Sequence, residues 1–195
     1  MGKNISYNME NIKLKLIKST PFGPVAIIWS LKKDEPLINL IILSHPQESA
    51  RIRVNKLYRD IKRASCPEID EVSSKIKSFL RGEDILFSLD RVDLESCTPF
   101  QRSVLEAEYN IPRGRITSYK TLASYLGKDK GARAIGNALA RNPYPIIIPC
   151  HRAIRFDGYP GGFQGGEDMK RALLEAEGLI FDHNGRVICK DFYYE

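Results

Sequence analysis

The chain has 195 residues, of which 43% are hydrophobic and 28% are charged, a balance that suits one large globular domain or two small ones. Its longest apolar stretches, such as residues 37–44, have only the length of a β-strand, so we expect no membrane span. Because residues 1–11 are polar, we expect no signal segment and a cytoplasmic protein. The net charge of +6, with an isoelectric point near 9.1, favours an anionic partner without proving one.

The four cysteines, Cys66, Cys97, Cys150 and Cys189, are far apart and form no C-x-x-C pair. The three histidines add no clustered ligand pattern, so the sequence predicts no metal site built from close pairs. In a reducing cytosol the thiols are expected to be free, although the sequence alone leaves a disulfide open for Cys66, Cys97 or Cys189.

In the first half, three apolar runs rich in β-forming residues (12–20, 25–30 and 37–44) predict strands, and the segment "TPFGPV" predicts a turn between the first two. Two helical patterns follow, one over residues 54–61 and one over residues 67–82. This half is typical of a small sheet with helices packed on it, and it carries no recognisable chemistry.

The second half opens with a helix signal in which Thr98 is placed to cap the first turn and Gln101 to complete a capping box. Two short helices then follow, the first capped by Thr117 or Ser118 and the second over residues 132–141, with a glycine-containing turn between them. Such a pair is the signature of a helix-turn-helix DNA-binding unit, although the same pattern also forms hairpins with a purely structural role.

The second short helix, "ARAIGNALAR", consists mostly of alanine and glycine, with Arg133, Asn137 and Arg141 as its polar exceptions. A glycine inside a helix destabilises it by roughly 1 kcal/mol, so Gly136 indicates that something comes close to the backbone there. The neighbour is either another packed element or a nucleic-acid groove, into which Arg133 would then reach.

The segment "NPYPIIIPCHRAI" places a thiol, an imidazole and a guanidinium side by side at Cys150, His151 and Arg152. The three isoleucines predict a strand that ends at Pro149, which leaves the thiol at the end of an element. An isolated cysteine is more often an inert core residue, but the two basic neighbours favour the thiolate, and the glycine-rich segment 158–166 supplies an open wall.

A thiol with a pKa of about 8.5 needs a base to act as a nucleophile at neutral pH, and the base needs an orienting group. His151 is the obvious base. Because neighbours on an extended strand point to opposite faces, its contact with Cys150 requires a bend or a bridging water. Spacing leaves the orienting carboxylate open among Glu167, Glu175 and Glu177.

Taken together, "IPCHR" with "NP" upstream, the preceding "IPRGRITSYKTLA" and "ARAIGNAL", and the following glycine-rich loop and "KRALLEAEG" closely resemble the O6-alkylguanine-DNA alkyltransferases over residues 98–178. The first half resembles that family's ribonuclease-H-like domain only in size and coarse pattern. The resemblance implies an α/β (α+β) fold. Its N-terminal ribonuclease-H-like domain, a small sheet with helices, would span residues 1–93. Its mainly helical, winged helix-turn-helix-like domain with the reactive cysteine would span residues 94–195.

The resemblance also implies roles for five residues in catalysis. Cys150 would be the acceptor that attacks the alkyl carbon on O6 of guanine and stays alkylated. His151 would be its base through a water, and Glu177 would orient the imidazole. Asn142 would hold the turn that carries the cysteine, and Tyr119 would polarise the base and help to rotate it out of the duplex.

The implied partner is double-stranded DNA containing O6-alkylguanine, bound through the minor groove, which at about 6 Å is narrow enough to require small side chains. Arg133 would occupy the position in the base stack that the rotated nucleotide leaves. The other implied DNA-contacting residues are Ala132, Gly136, Asn137, Arg141, Thr117 and Ser118. The implied substrate pocket consists of Pro145, Arg152, Phe163, Gln164 and Gly165. We expect no cofactor, no metal and a monomer, with cooperative binding along DNA left open.

The chain departs from the family pattern in its loop "GGFQGG". Phe163 lacks the hydroxyl that many members carry, and Gln164 stands where a small polar residue is common. Hydrogen bonds to the damaged base are therefore expected from backbone groups or from Gln164. Pro145 and Gly165 match members with a roomy pocket, which indicates tolerance of benzyl-sized groups.

Three alternatives remain at this point: a binding protein that recognises alkylated DNA without repairing it, a Cys-His hydrolase, and a helix-turn-helix regulator that makes no use of Cys150. The retained Cys-His pair argues against the first. A hydrolase would turn over repeatedly, so the stoichiometry of the reaction distinguishes it. The preferred alkyl group and any activity on O4-alkylthymine are not readable from the sequence.

Overall fold

The computed structural model describes residues 11–195, so the polar segment 1–11 lies outside the described residues apart from its last member. A four-stranded sheet forms the N-terminal half. Its strands are β1 (Lys13–Ile17), β2 (Val25–Lys32), β3 (Glu35–Leu43) and β4 (Lys62–Arg63), in the order β3-β2-β1-β4. The first three strands pair antiparallel, and β4 runs parallel to β1. The three predicted strands are therefore present, with β3 at one edge of the sheet.

Both faces of this sheet are covered, which explains why β2 is apolar on successive residues rather than alternate ones. Ala26 and Ile28 pack with Val54 of helix α1 (Ala50–Leu57) on one face. Ile27 and Trp29 pack on the other face, in a cluster that also holds residues of helix α2 (Pro67–Phe79). A central strand of this kind reads as a continuous hydrophobic run.

The helix predicted over residues 54–61 differs from α1. It begins earlier, where Ser49 caps it, and it ends at Leu57. Tyr58 is extended and Asp60 has a positive φ of 58°, so the chain turns there and Ile61 reaches the same apolar cluster from outside the helix. The periodic pattern thus indicated correctly that Ile61 packs against this cluster, but it predicted the wrong backbone conformation for that residue. Helix α2 begins at Pro67 as predicted.

The C-terminal half is mainly helical. Its helices are α3 (Pro99–Tyr109), α4 (Tyr119–Tyr125), α5 (Ala132–Ala140) and α6 (Glu167–Ala176). Its short strands are β5 (Thr117–Ser118) and β6 (Ala153–Ile154), which pair in parallel, and β7 (Ile180–Phe181) and β8 (Val187–Ile188), which form a hairpin. Helices α4 and α5 pack against each other as the predicted pair.

The predicted capping box at the start of α3 is half formed. The Thr98 hydroxyl accepts a hydrogen bond from the Gln101 amide nitrogen at 3.2 Å, as a cap should. The Gln101 side chain, however, donates to the Arg141 carbonyl at 3.0 Å instead of returning to the cap residue. This bond satisfies a carbonyl at the end of α5, so it ties the two helices together.

The strand predicted for the three isoleucines is wrong. Residues 146–148 form a tight turn in which Ile146 has a φ of 79° and the Ile148 amide donates to the Tyr144 carbonyl at 2.9 Å. Prolines 145 and 149 lack the N–H groups that a strand ladder needs, so the segment folds on itself. All three isoleucines are nevertheless buried, and a run of apolar residues indicates burial rather than conformation.

The largest cluster of buried apolar side chains joins the two halves of the chain. It includes Trp29 and Ile41 of the sheet, Leu105 of α3, Ile148 and Met169 of α6. The sheet combined with six α-helices among the described residues confirms the predicted mixed α/β class. The boundary between residues 93 and 94 stays a prediction. None of the described helices has the length and apolar character needed to cross a membrane.

Candidate active site

Cys150 begins a 3-10 turn, Cys150–Arg152, that follows Pro149. Asn142 positions this turn: its side-chain nitrogen donates to the Ile148 carbonyl at 3.0 Å, and its side-chain oxygen accepts from the Tyr144 amide at 2.9 Å. One buried amide therefore holds the tight turn of residues 144–148 from both sides, and the thiol at its end is only 7% exposed.

A cavity of about 310 Å³ opens beside Cys150. Its lining consists of Tyr119, Gly136, Leu139, Ala140, Asn142, Pro145, Cys150, Gly162, Phe163 and Gln164. Helix α5 supplies one wall through small residues, and the glycine-rich loop supplies another. The structure thus brings most of the predicted pocket residues together, although Arg152 and Gly165 are not among the lining residues.

His151 lies next to Cys150 but turns to a different partner. Its Nε2 is 2.9 Å from Oε1 of Glu177, the residue that ends α6, and both side chains are buried. A carboxylate only accepts hydrogen bonds, so Nε2 carries the ring proton and Nδ1 keeps its lone pair. Nδ1 has no hydrogen-bond partner among residues 11–195, which leaves it as a free basic atom in a buried site.

Glu177 also receives Arg152. The guanidinium Nε is 2.9 Å from Oε2, Nη2 is 2.7 Å from Oε1, and Nη1 donates to the Ile111 carbonyl at 2.6 Å. Burial alone would raise the pKa of Glu177, but the hydrogen bonds and charges of His151 and Arg152 outweigh it and lower that pKa to about 2. Burial lowers the pKa of His151 despite the nearby carboxylate, so the imidazole is neutral at pH 7.

Of the three carboxylates that spacing left open, only Glu177 reaches His151. Glu167 is exposed at the start of α6, and Glu175 is exposed and pairs with Arg171 at 2.9 Å. Glu177 is the partner of His151 because α6 ends there: the backbone leaves the helix at Glu177, and the Glu177 side chain is buried.

The prediction that the basic neighbours favour the thiolate is wrong for the resting protein. Arg152 directs its charge to Glu177, and burial raises the pKa of the Cys150 thiol to about 11, although Asn142 opposes the shift. Cys150 is therefore a protonated thiol at neutral pH. Its ionisation must be coupled to a base and to substrate binding.

Tyr119 presents its phenol to the same cavity from the first residue of α4. Burial, with contributions from Glu108 and Cys150, raises its pKa to about 12, so it stays a proton donor. Gly161 makes this position possible, because a Cβ on that residue would lie 3.0 Å from the phenol oxygen. The absence of a side chain at Gly161 therefore leaves room for the Tyr119 phenol.

Two buried charged residues beside this site were not predicted. Glu108 of α3 and Lys170 of α6 are both fully buried. The Lys170 ammonium donates to the Ala153 carbonyl at 2.7 Å, and burial lowers its pKa to about 8. Both carboxyl oxygens of Glu108 have no hydrogen-bond partner among the described residues, and burial raises its pKa to about 8. The burial of Glu108 could have been inferred from helical spacing, since Glu108 follows buried Val104 by four positions on the same helix.

The buried Glu108 carboxyl makes stability depend on pH. Because its folded pKa of about 8 is above the ordinary value of about 4.3, the unfolded chain is increasingly favoured as pH rises between these values. We expect Glu108→Gln to stabilise the protein more at pH 8 than at pH 5, by at least about 1 kcal/mol. Urea unfolding at both pH values measures this. The exposed Glu106→Gln on the same helix should show no such difference, and an equal effect of Glu108→Gln at both pH values would contradict the assignment.

The residues predicted to contact DNA divide into two groups. Arg133, Asn137 and Arg141 are exposed on one face of α5, whose opposite face is buried. Ala132 and Gly136 are partly exposed beside them, and a Cβ on Gly136 would meet no atom within 4 Å. Thr117 and Ser118 are fully buried. Their hydroxyls bond to the Tyr193 carbonyl and to Thr121, so both hydroxyls are engaged within the protein, and the predicted contact of these two residues with DNA stays a prediction.

Two residues of the glycine-rich loop also make contacts that were not predicted. The Gln164 side chain is bonded to β3, with Oε1 accepting from the Leu43 amide at 2.6 Å, and its predicted hydrogen bond to the damaged base stays a prediction. Gly165 is required by packing, because a Cβ there would lie 2.1 Å from Sδ of Met169. Phe163 is half-buried and meets the His151 ring edge-on, with ring centroids 6.2 Å apart.

The four cysteines are free, and residues 11–195 contain no group of three or more histidine, cysteine or acidic side chains placed to hold a metal ion. A protonated thiol and a phenol therefore line one cavity, and a buried neutral imidazole follows the thiol in the chain. Fold and site together define a protein with a buried thiol on a cavity beside a helix that exposes an arginine.

Comparison with known proteins agrees. The family model described as "6-O-methylguanine DNA methyltransferase, DNA binding domain" matches residues 99–179. A methylated-DNA–protein-cysteine methyltransferase of Methanothermobacter thermautotrophicus is 43% identical over 90% of this chain and 92% of that protein. The chain belongs to the methylated-DNA–protein-cysteine methyltransferase family.

Solved structures support this membership. The O6-methylguanine methyltransferase of Mycobacterium tuberculosis has a TM-score of 0.67 and 30% identity, covering 85% of this chain and 92% of that one. A structure of the Mycobacterium tuberculosis protein in complex with DNA has a TM-score of 0.64 and 28% identity, covering 85% of this chain and 91% of that one.

Proposed function

We propose that this protein repairs DNA by transferring an alkyl group from O6 of guanine to Sγ of Cys150, with each molecule reacting once. The observation that carries the proposal is the position of a buried, protonated thiol on a cavity beside α5, next to a neutral imidazole with a free Nδ1. Family membership supports the same activity.

The proposed reaction is a displacement at the alkyl carbon. As the S–H proton leaves Cys150, the sulfur forms a bond to the alkyl carbon, and the bond between this carbon and O6 breaks with its electron pair going to guanine. His151 Nδ1 takes the thiol proton through a bridging water, since the imidazole is held toward Glu177. The guanine anion then takes up a proton from solvent and the His151 imidazolium releases one to solvent, so His151 ends neutral and the charges balance.

The buried partners make this proton movement feasible. A thiol with a pKa near 11 does not ionise alone at neutral pH, so the base must act in step with the attack. Glu177 keeps His151 in the tautomer with a basic Nδ1 and stabilises the imidazolium that forms. The Tyr119 phenol donates a hydrogen bond to the guanine as negative charge develops on it.

The product explains why the protein would act once. The alkyl group ends in a thioether, whose C–S bond is not hydrolysed by water at neutral pH, so the thiol is not regenerated. A Cys-His hydrolase would release its product and turn over. Counting labelled methyl groups transferred from excess DNA that contains O6-methylguanine tests this. We expect at most one methyl group per protein, and repeated turnover would refute the proposal.

Binding of damaged double-stranded DNA by a monomer completes the proposal. The target carbon is hidden in the duplex, so the base must leave the stack, which requires a few kcal/mol. Arg133 is exposed at the start of α5, beside the cavity lined by Gly136 and Ala140, and has no ion-pair partner among the described residues. We infer that Arg133 fills the vacated position and that the small residues of α5 allow close approach of the groove.

The role of Arg133 can be tested by comparing two substrates. We expect Arg133→Ala to slow transfer from O6-methylguanine in duplex DNA by about 10-fold or more, since a missing contact to the opened stack removes more than about 1 kcal/mol. Transfer from free O6-benzylguanine base should be unchanged, because no duplex is opened. Arg51→Ala, an exposed arginine on α1, is the matched control. Equal losses with both substrates would contradict the role.

A further inference from the structure

The glycine-rich loop of residues 161–166 is attached to the N-terminal sheet by one side chain. Gln164 Oε1 accepts from the Leu43 amide at 2.6 Å, and its Nε2 donates to the Ile41 carbonyl at 3.4 Å. These two peptide groups belong to β3, which lies at the edge of the sheet. An amide that bonds one N–H and one C=O of an edge strand reproduces the contacts of a neighbouring strand.

The same edge also holds the opposite wall of the cavity. The Ile41 amide donates to the Pro143 carbonyl at 2.7 Å, and Pro143 directly follows Asn142, the residue that braces the turn leading to Cys150. Residues 41–43 of β3 therefore contact both the segment that carries the thiol and the loop that faces it. Gln164 and Asn142 both line the cavity, so the separation of its walls depends on this strand.

We propose that Gln164 is a positioning residue whose side-chain amide fastens loop 161–166 to the edge of β3 and thereby sets the size of the alkyl group that the cavity admits. The inference rests on the proposed function for its substrate. It gives the N-terminal sheet a part in the reaction: a rigid support for a loop that is rich in glycine and has little conformational preference of its own.

The expected consequences differ for small and large alkyl groups. A methyl group makes few contacts, so its approach to Sγ depends on walls that are held in place. A benzyl group needs more room, so under this proposal it is the group that gains from outward movement of the loop. Releasing the loop therefore slows methyl transfer and slows benzyl transfer less. Gln164→Ala removes both hydrogen bonds, and Gln164→Glu keeps the acceptor for Leu43 but loses the donor to Ile41.

The test combines amide exchange with transfer rates. In Gln164→Ala we expect the Leu43 amide to exchange at least about fivefold faster, because its hydrogen-bond partner is gone, whereas the Ile41 amide, bonded to Pro143, keeps its protection. With duplexes containing O6-methylguanine or O6-benzylguanine, methyl transfer should slow by about fivefold and the benzyl-to-methyl rate ratio should rise by about threefold. Gln164→Glu should give intermediate values.

Gln47→Ala, an exposed glutamine in the segment after β3, is the matched control and should change neither measurement. Unchanged exchange at Leu43 in Gln164→Ala would overturn the inference, and so would an unchanged benzyl-to-methyl ratio. Because amide exchange needs no substrate, absence of transfer in the wild-type protein would refute the proposed function and would be distinguishable from failure of the Gln164 inference.

Discussion

Replacement of Cys150 by alanine is expected to abolish alkyl transfer and to leave affinity for DNA within about twofold of wild type. Sγ is the proposed acceptor, whereas the proposed DNA-binding surface is the exposed face of α5, to which the buried thiol does not belong. Loss of one buried sulfur leaves a small cavity and should lower stability by about 1–2 kcal/mol. Labelled-methyl transfer and a filter-binding titration measure the two properties.

The exposed Cys189 provides the control for this experiment. Cys189→Ala should transfer the alkyl group as wild type does. Transfer by the Cys150→Ala protein would mean that another residue is the acceptor. If Cys150→Ala lost both alkyl transfer and DNA affinity, the substitution would have disturbed the fold.

Replacement of Glu177 by glutamine should have the second-largest effect, because among residues 11–195 this carboxylate is the one that pairs with the buried Arg152 and with His151. Breaking a buried ion pair on one side typically destabilises by about 3–5 kcal/mol, and we expect a loss of that size in urea unfolding at pH 7. Transfer should slow by about 10-fold to 100-fold because the basic tautomer of His151 is no longer selected.

The pH dependence separates the two roles of Glu177. The wild-type carboxylate, with a folded pKa of about 2, contributes stability above its ordinary value of about 4.3, and this contribution is lost as pH falls toward 2. Glu177→Gln should lack that part of the acid transition. The exposed Glu175→Gln, two residues away on α6, should keep it. A Glu177→Gln protein that transfers at the wild-type rate would contradict the orienting role.

The elements that could be predicted from the sequence are those with local signals. Pro67, Thr98 and Ser118 begin their helices because the preferences of N-terminal helix positions are local in origin. Three of the four strands of the sheet were also predicted, since turn residues flank apolar runs, whereas the two-residue strand β4 was not. The turn of residues 146–148 was missed because a run of apolar residues indicates burial and not backbone conformation. Here the flanking prolines 145 and 149 exclude a strand.

The site was less predictable where partners come from distant parts of the chain. Glu177 could not be separated from Glu167 and Glu175 by spacing, because the end of α6 determines which carboxylate turns inward. Gln164 reaches a strand more than a hundred residues away, and no local pattern shows that. Thr117 was one of two candidate helix caps, but its hydroxyl donates to the carbonyl of Tyr193 near the C-terminus, 76 residues away, and no local pattern shows that.

The buried pair Glu108 and Lys170 illustrates a different limit. Helical spacing puts Glu108 on the buried face of α3, but charged residues are almost never fully buried, so residue type argues for the surface where spacing argues for the core. Their burial follows from the packing of α3 and α6 against the turn that carries Cys150, which only the assembled fold provides.

The central claim is that Cys150 becomes covalently alkylated, and the mass of one peptide tests it most directly. Trypsin releases residues 142–152 with Cys150 as the single cysteine. After incubation with duplex DNA containing O6-methylguanine, this peptide should gain the mass of one methyl group located on Cys150, and incubation with the undamaged duplex should leave it unchanged. An unmodified peptide, or a methyl group on any other residue, would contradict the account.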